Sequence, residues 1–490
     1  MILDNNVYDM SENKIIEYAN KLADVIECNQ SLEKYNSGQL TYEYLIAMFL
    51  ATQAMENGER LYNYCYDAVI ACGKRNIQFK LKQNKKIKVA FLPISAAEWP
   101  AEYIYRKLEA DERFEPVVIP IPLIGRQKEE RDRVYMQTYD FFANGNYNIM
   151  KVYDAYTEEI IGWEDIGGMP DIVIHVTPWY LNLAHNYQVG KLPLNVLNVY
   201  ISYGFKIADS INGSYAKECV YNKEFMNIMW KVYTETPQNY QGFKNYQTLH
   251  AKNVVNSGYI KMDYFYDNHN YSNEKLMKMW SIPNGGDIHK YKKILITPHF
   301  SIADTNVVSF STFEKNMYFY VYLAKKYREN VSFIFKPHPN LRNALIKNGY
   351  MKSIDEYEAY LDEFRKLPNA SVCEEGDYLE LFDTSDGIID DSVSFIGEYM
   401  YVDRPMLFLE RPEQRFNELG KALIKAHYKV CGEDYMGIDN FVNDVVINGN
   451  DYMKQEREAI FSEELDYYSY NGIKASEYVY KDIIGGLLKV

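Results

Sequence analysis

From Lys85 onward the chain alternates short apolar runs with stretches of helical periodicity, and this alternation narrows the possible folds more than any other feature. Runs apolar on both faces suit parallel sheets, whose strands are joined by crossover helices. The first series of candidate strands is 87–92, 117–121, 172–176, 196–201 and 253–257. The second is 294–297, 331–335, 370–373, 387–389 and 406–409, interleaved with helical patterns at 313–327, 355–367 and 378–382. The pattern predicts an α/β protein of two Rossmann-type, doubly wound parallel-sheet domains facing a cleft, with an N-terminal helical appendage. The expected boundaries are 1–84 for the appendage, 85–265 and 266–465 for the sheet domains, and 466–490 for a C-terminal helix packing back across the junction.

Helical spacing of Ile15, Ile16, Ala19, Leu22, Ala23 and Ile26 after Ser11 predicts a first helix in the appendage. Thr41 is placed to cap a second, and a third should run from Arg60 to a stop at Gly73. With 490 residues, 47% of them hydrophobic and 25% charged, the chain has ample material for a core. Its 53 Lys and Arg against 68 Asp and Glu leave a formal charge of −15, which argues against a general nucleic-acid-binding surface. The six cysteines form no C-x-x-C pair, so neither a disulfide framework nor a zinc site is indicated, and no metal is expected. No signal peptide or span of roughly 20 apolar residues is seen, so a cytoplasmic protein is expected, soluble or peripherally attached.

In open α/β sheets ligands bind beyond the carboxyl ends of the strands, so motifs there carry the most weight. In Ile294-Leu-Ile-Thr-Pro-His-Phe-Ser301, proline ends the ladder and leaves His299 on the loop beyond. Such a histidine suits proton transfer from a hydroxyl or a hydrogen bond to phosphate, while an ordinary loop histidine bonding local backbone is the plainer alternative. Val331-Ser-Phe-Ile-Phe-Lys-Pro-His-Pro-Asn340 repeats the grammar, with His338 between two prolines and with Lys336 and Arg342 nearby. A rigid cationic cluster fits a diphosphate leaving group, although a proline-rich turn with solvated charges remains open. The third motif, Asp390-Asp-Ser-Val-Ser394, follows a buried run and precedes a short helical stretch ending near Glu398. Asp391, Ser392 or Ser394 is expected to cap that helix, whose free N–H groups suit an anion.

Signatures of P-loop ATPases, dinucleotide oxidoreductases, serine hydrolases and zincins are absent. Aromatic residues reach 15%, with 47 Tyr, 23 Phe and 5 Trp. Tyrosines within helical stretches, such as Tyr62, Tyr64, Tyr66, Tyr318, Tyr320, Tyr322 and Tyr327, read mainly as packing residues. Those near predicted strand ends, Trp99, Trp179, Tyr180 and Tyr203, are candidates for lining a ligand.

Taken together, the three motifs, in this order and on these strands, resemble the CDP-glycerol glycerophosphotransferase family of teichoic-acid and capsule polymerases. The segments Pro170-Asp-Ile-Val-Ile-His-Val-Thr-Pro178, Tyr200-Ile-Ser-Tyr-Gly204 and Asn253-Val-Val-Asn-Ser-Gly-Tyr-Ile-Lys-Met-Asp263 are similar as well. The resemblance implies a GT-B fold, with an acceptor-side first domain and a nucleotide-donor second domain. It also implies transfer of glycerol phosphate, or a related polyol phosphate, from a CDP-activated donor to a hydroxyl of a surface glycan or lipid-linked acceptor. CMP is released, no cofactor is required, and peripheral association with the inner face of the cell membrane is expected. On this reading His299 is the base and His338 a catalytic phosphate ligand, with Lys336, Arg342, Ser392 and Ser394 on the donor phosphates. Glu398 and Asp391 are assigned to the nucleotide, and Trp99, Trp179, Tyr180 and Tyr203 to the acceptor side. A GT-B glycosyltransferase using a sugar nucleotide and a non-catalytic scaffold of capsule assembly are the alternatives.

Overall fold

Residues 10–27, 40–210, 213–283, 286–303, 308–374 and 378–488 are described by a computed structural model, in which two parallel sheets of six strands each account for the apolar runs. Contacts divide the chain into two units. Unit 1 comprises Met1–Gly204, Lys217–Asp263 and Tyr470–Val490, and unit 2 comprises Phe205–Ala216 and Tyr264–Ser469.

The strands of unit 1 are β1 (Ile87–Leu92), β2 (Phe114–Val118), β3 (Ile172–His175), β4 (Leu197–Ile201), β5 (Lys231–Thr234) and β6 (Val254–Asn256), in the order β2-β1-β3-β4-β5-β6. The chain steps outward from β1 to β2 and then restarts on the other side of β1 with β3, so the switch point lies between β1 and β3. Unit 2 contains β7 (Lys292–Thr297), β8 (Val331–Phe335), β9 (Ala370–Val372), β10 (Gly387–Asp390), β11 (Met406–Glu410) and β12 (Tyr428–Cys431), in the order β12-β11-β10-β7-β8-β9. Its switch point falls between β7 and β10. Both sheets are doubly wound and parallel, the pair of Rossmann-type sheets expected from the sequence.

Two strands escape the sequence reading. β5 is four residues long and begins with a lysine, and β12 is an edge strand whose outward residues are polar or exposed, so neither makes a continuous apolar run. The third helix does not stop at Gly73 but continues over Gly58–Lys82. A Cβ at Gly73 would lie 2.5 Å from Leu197 Cδ2, so the glycine lets the helix approach β4 closely rather than ending it. The first helices are not a separate appendage. Tyr42, Tyr62 and Tyr66 are buried and donate their hydroxyls to the carbonyls of Val196, Asn227 and Met229, tying the helices Tyr42–Thr52 and Gly58–Lys82 into unit 1. The final helix, Ala475–Leu488, also joins unit 1, where buried Asp263 accepts hydrogen bonds from the N–H groups of Ala475 and Ser476. Among the helical tyrosines, Tyr320 is core but Tyr64, Tyr318 and Tyr322 are exposed, correcting the expectation that they pack.

Candidate functional site

Parallel register brings the three motifs of unit 2 to one edge. Thr297 at the end of β7 lies beside Asp390 at the end of β10, and Ile296 lies beside Phe335 at the end of β8. The residues immediately beyond, Pro298-His299, Asp391 and Lys336-Pro-His338, therefore emerge together at the switch point of this sheet. The two histidine loops are also stitched by backbone, since Lys336 N–H donates to Ile296 O at 2.8 Å and His338 N–H to Pro298 O at 3.0 Å. The imidazole centroids of His299 and His338 lie 5.1 Å apart at 72°, with the Phe300 ring 4.5 Å from His338.

Hydrogen bonds at Nδ1 set the tautomer of both rings. His299 Nδ1 meets the Ser301 hydroxyl at 2.6 Å and accepts the Ser301 N–H at 3.3 Å, while Ser301 Oγ accepts the Phe310 N–H at 2.9 Å. The Asn340 N–H donates to His338 Nδ1 at 3.1 Å. Each neutral ring thus carries its proton on Nε2 and offers a hydrogen-bond donor. Burial drives the His299 pKa well below the ordinary histidine value, and a proton on His338 would lower it further, so this ring stays neutral. With Nδ1 accepting the Ser301 N–H, the neutral His299 ring is arranged to donate from Nε2.

Asp391 also differs from expectation. Its Oδ1 accepts the His299 N–H at 2.5 Å, and its Oδ2 accepts the Thr312 N–H at 2.5 Å and the Thr312 hydroxyl at 2.9 Å. The carboxyl is buried and committed to holding the His299 loop and the start of the helix Phe313–Lys326, so it neither caps the helix after it nor presents itself to a nucleotide. Burial pushes its pKa up to about 7 against these hydrogen bonds. Beside it, burial keeps the Asp390 carboxyl protonated well above the usual range, while the Thr297 hydroxyl donates to it at 2.5 Å.

The helix after the third motif is only Phe395–Glu398, with Ser394 at its N-cap and no side-chain cap bond; the expected cap is absent. Ser392 Oγ instead accepts the Ser394 N–H at 3.3 Å. Ser392 is buried and Ser394 half-buried. Lys336 is buried, its Nζ lies 5.8 Å from the Tyr378 ring centroid, and the Tyr378 hydroxyl donates to buried Glu398. Tyr378 therefore joins Lys336 to Glu398. Arg342 lies half-buried in the first turn of Leu341–Lys347.

In unit 1 the acceptor-side candidates separate. Trp99 is core, edge-on to Phe91 and Phe142, and Tyr180 is core, stacked on Phe225 and bonded to Glu224. Both are corrections: aromatic packing claims these side chains and leaves no face for a ligand. Trp179 and Tyr203 are half-buried and paired, with the indole N–H donating to the Tyr203 hydroxyl at 3.3 Å.

Sequence reasoning missed Ser301, Thr312 and Tyr378. Ser311-Thr312 ahead of a helical pattern was a readable cap signal, whereas nothing local marked the partners of Ser301 and Tyr378.

The family model for CDP-glycerol:poly(glycerophosphate) glycerophosphotransferase matches residues 203–485, more than half of the chain and all three motifs. The chain belongs to this family. Membership makes it a transferase of the glycerophosphotransferase type. A search of curated proteins returns no match. Among solved structures, the wall teichoic acid polymerase TagF, soaked with CDPG, is similar at 12% identity, covering 98% of each chain with a TM-score of 0.49. S. aureus MnaA in a co-structure with UDP is 14% identical over 82% of this chain and 97% of that one, with a TM-score of 0.47. The UDP-GlcNAc 2-epimerase from Neisseria meningitidis bound to UDP-GlcNAc is 15% identical over 83% and 100%, also at 0.47. The family assignment rests on the model match. Among the described residues, no helix is long and apolar enough to cross a membrane, and no three His, Cys, Asp or Glu side chains gather as a metal site.

Proposed function

We propose that this glycerophosphotransferase-family protein moves glycerol phosphate, or a related polyol phosphate, from a CDP-activated donor to a hydroxyl of a surface glycan or teichoic-acid-like polymer, at the inner face of the cell membrane. The observation carrying this reading is the His299–His338 pair, whose Nδ1 atoms accept backbone N–H groups and leave two Nε2–H donors beside buried Lys336 at the carboxyl edge of unit 2's sheet. Such an edge suits the diphosphate. The acceptor oxygen attacks the distal phosphorus, a new P–O bond forms, and the bond to the bridging oxygen breaks with that oxygen leaving on CMP. The hydroxyl proton passes to the phosphate oxygen freed on CMP, through water, as the diester forms. Because phosphoryl transfer proceeds through a loose transition state, positioning and charge stabilisation supply most of the catalysis. His338 and His299 donate to the phosphate oxygens and Lys336 offsets the charge developing on CMP. Ser392 and Ser394 contact the donor phosphates, with Arg342 adding positive charge. Glu398, held by Tyr378, contacts the nucleoside.

The test is incubation of the purified protein separately with CDP-glycerol, CDP-ribitol and UDP-sugars, following thermal stabilisation and the nucleotide released. CMP release that is lost in a folded His338→Ala variant supports the reading. Release of UDP from a UDP-sugar, with no response to either CDP-polyol, would replace it with glycosyl transfer.

A further inference from the structure

The loop that follows β11 has no part in the proposed chemistry, yet it reaches the residues that hold His299. Arg411 and Gln414 lie just beyond the carboxyl end of β11, on the same edge of the sheet as the histidine loops. A single guanidinium nitrogen of Arg411, Nη1, donates to the carbonyls of Ile302 at 3.0 Å and Ser311 at 2.9 Å. Its Nε donates to Glu413 at 2.9 Å, which fixes the plane of the group. Gln414 Nε2 donates to the carbonyls of Phe310 and Leu409, both at 2.9 Å, and its Oε1 accepts the Arg411 N–H at 3.1 Å. The backbone gripped in this way is the backbone that orients Ser301. The Phe310 N–H donates to Ser301 Oγ at 2.9 Å, and the Ser311 N–H donates to the Ser301 carbonyl at 3.2 Å. Only 14% of the Arg411 side chain is exposed, so water competes little for these bonds.

A serine hydroxyl can either give or take a hydrogen bond at an imidazole nitrogen. With the Phe310 N–H on its oxygen, Ser301 turns its hydroxyl proton toward His299 Nδ1, 2.6 Å away, and the ring keeps its own proton on Nε2. We infer that Arg411 and Gln414 are positioning residues for His299: by holding the carbonyls of Ile302, Phe310 and Ser311 they fix the Ser301 hydroxyl, and through it the tautomer in which His299 donates from Nε2. Neither residue touches substrate. The inference rests on the transferase reading only for the group that Nε2 meets, a donor phosphate. Hydrogen bonds from a charged donor are the stronger kind, so Arg411 carries the larger share.

Nitrogen-15 NMR of the histidine side chains in the full chain reads the tautomer directly, with the His299 signals assigned by their absence from His299→Gln; calorimetric titration with CMP reads its consequence. Wild-type His299 is expected to show a protonated Nε2 and an unprotonated Nδ1, and the opposite tautomer overturns the inference. Arg411→Met is expected to move both nitrogen signals toward an exchanging mixture of tautomers and to weaken CMP binding by about fivefold or more, the equivalent of one lost hydrogen bond. Gln414→Glu keeps the shape but loses both donors; it should act in the same direction, by about threefold or more, and carries the test if the Arg411 variant does not fold. A purely structural role would lower stability and leave the His299 signals in place. Signals at their wild-type positions in the folded variants therefore overturn the assignment, whatever happens to CMP affinity. Signals that move while CMP affinity holds support the positioning role and count against the phosphate contact given to His299. Failure of CMP to bind the wild-type protein would count against the transferase reading instead, and the tautomer signals would still decide for Arg411 and Gln414.

Discussion

Replacing Asp391 with alanine tests whether one buried carboxyl holds the candidate site together. The side chain accepts the backbone N–H groups of His299 and Thr312 and the Thr312 hydroxyl. Alanine leaves both N–H groups buried without partners, at a cost of about 1–3 kcal/mol each. At pH 4 little of this is offset, because the burial that raises the Asp391 pKa to about 7 opposes folding only as the unfolded carboxyl ionises, above about pH 4. A net loss of roughly 2–4 kcal/mol remains, which for a unit of this size lowers the thermal transition by about 5–15 °C. Differential scanning calorimetry at pH 4 measures it. CMP titration on the same protein should show weaker binding, because the His299 loop and the start of the helix Phe313–Lys326 lose their common anchor. A transition within about 1 °C of wild type, together with unchanged CMP affinity, would refute the assignment of Asp391 as that anchor.

Three further outcomes are expected. Burial raises the Glu98 pKa to about 7, so the folded protein holds its proton more tightly than the unfolded chain, and the contribution of Glu98 to stability falls as pH rises from about 4.5 to about 7 and is level above that. Glu98→Gln removes that contribution, making the variant more stable than wild type by roughly 3 kcal/mol at pH 8 and by little at pH 4.5, as read by urea midpoints. Arg457 is 1% exposed and paired with Asp451 at 2.7 Å and Asp403 at 2.9 Å, so Arg457→Met should cost about 3 kcal/mol, toward the low end because both carboxylates retain contact with water. In Gly420→Ala the new Cβ would sit 2.3 Å from the Ile207 carbonyl, dislodging the segment that the Asn417 N–H holds through Ile207 O; urea midpoints should fall by roughly 1–3 kcal/mol and tryptic cleavage after Lys206 should quicken.

The strands placed most closely from sequence are those whose apolar runs are unbroken, whereas β2, with exposed Glu115 and Pro116 inside it, lies at Phe114–Val118 rather than at the expected 117–121. β1 and β8 were read to the residue because Ile87–Leu92 and Val331–Phe335 are almost wholly buried, whereas β5 and β12 interleave polar residues. The three motifs were legible for a related reason, since proline, histidine and Ser/Asp turns directly after buried strands mark the carboxyl edge of a parallel sheet. Gly73 shows where local grammar misleads. A glycine at a helix end and a glycine at a close crossing look alike in one dimension, and only Leu197 of β4, packed against it, distinguishes them.

By itself the sequence determined the fold class, the family and the loops that form the candidate site, because those follow from local periodicity and from motifs a few residues long. The tertiary structure decided what each side chain does there. Asp391 anchors backbone from residues 79 and 92 positions away, Trp99 and Tyr180 are claimed by aromatic packing, and the rings of His299 and His338 have their protons assigned by backbone donors. Hydrogen-bond partners, burial and tautomer are properties of neighbours in space, and parallel register alone brings those neighbours together from distant parts of the chain.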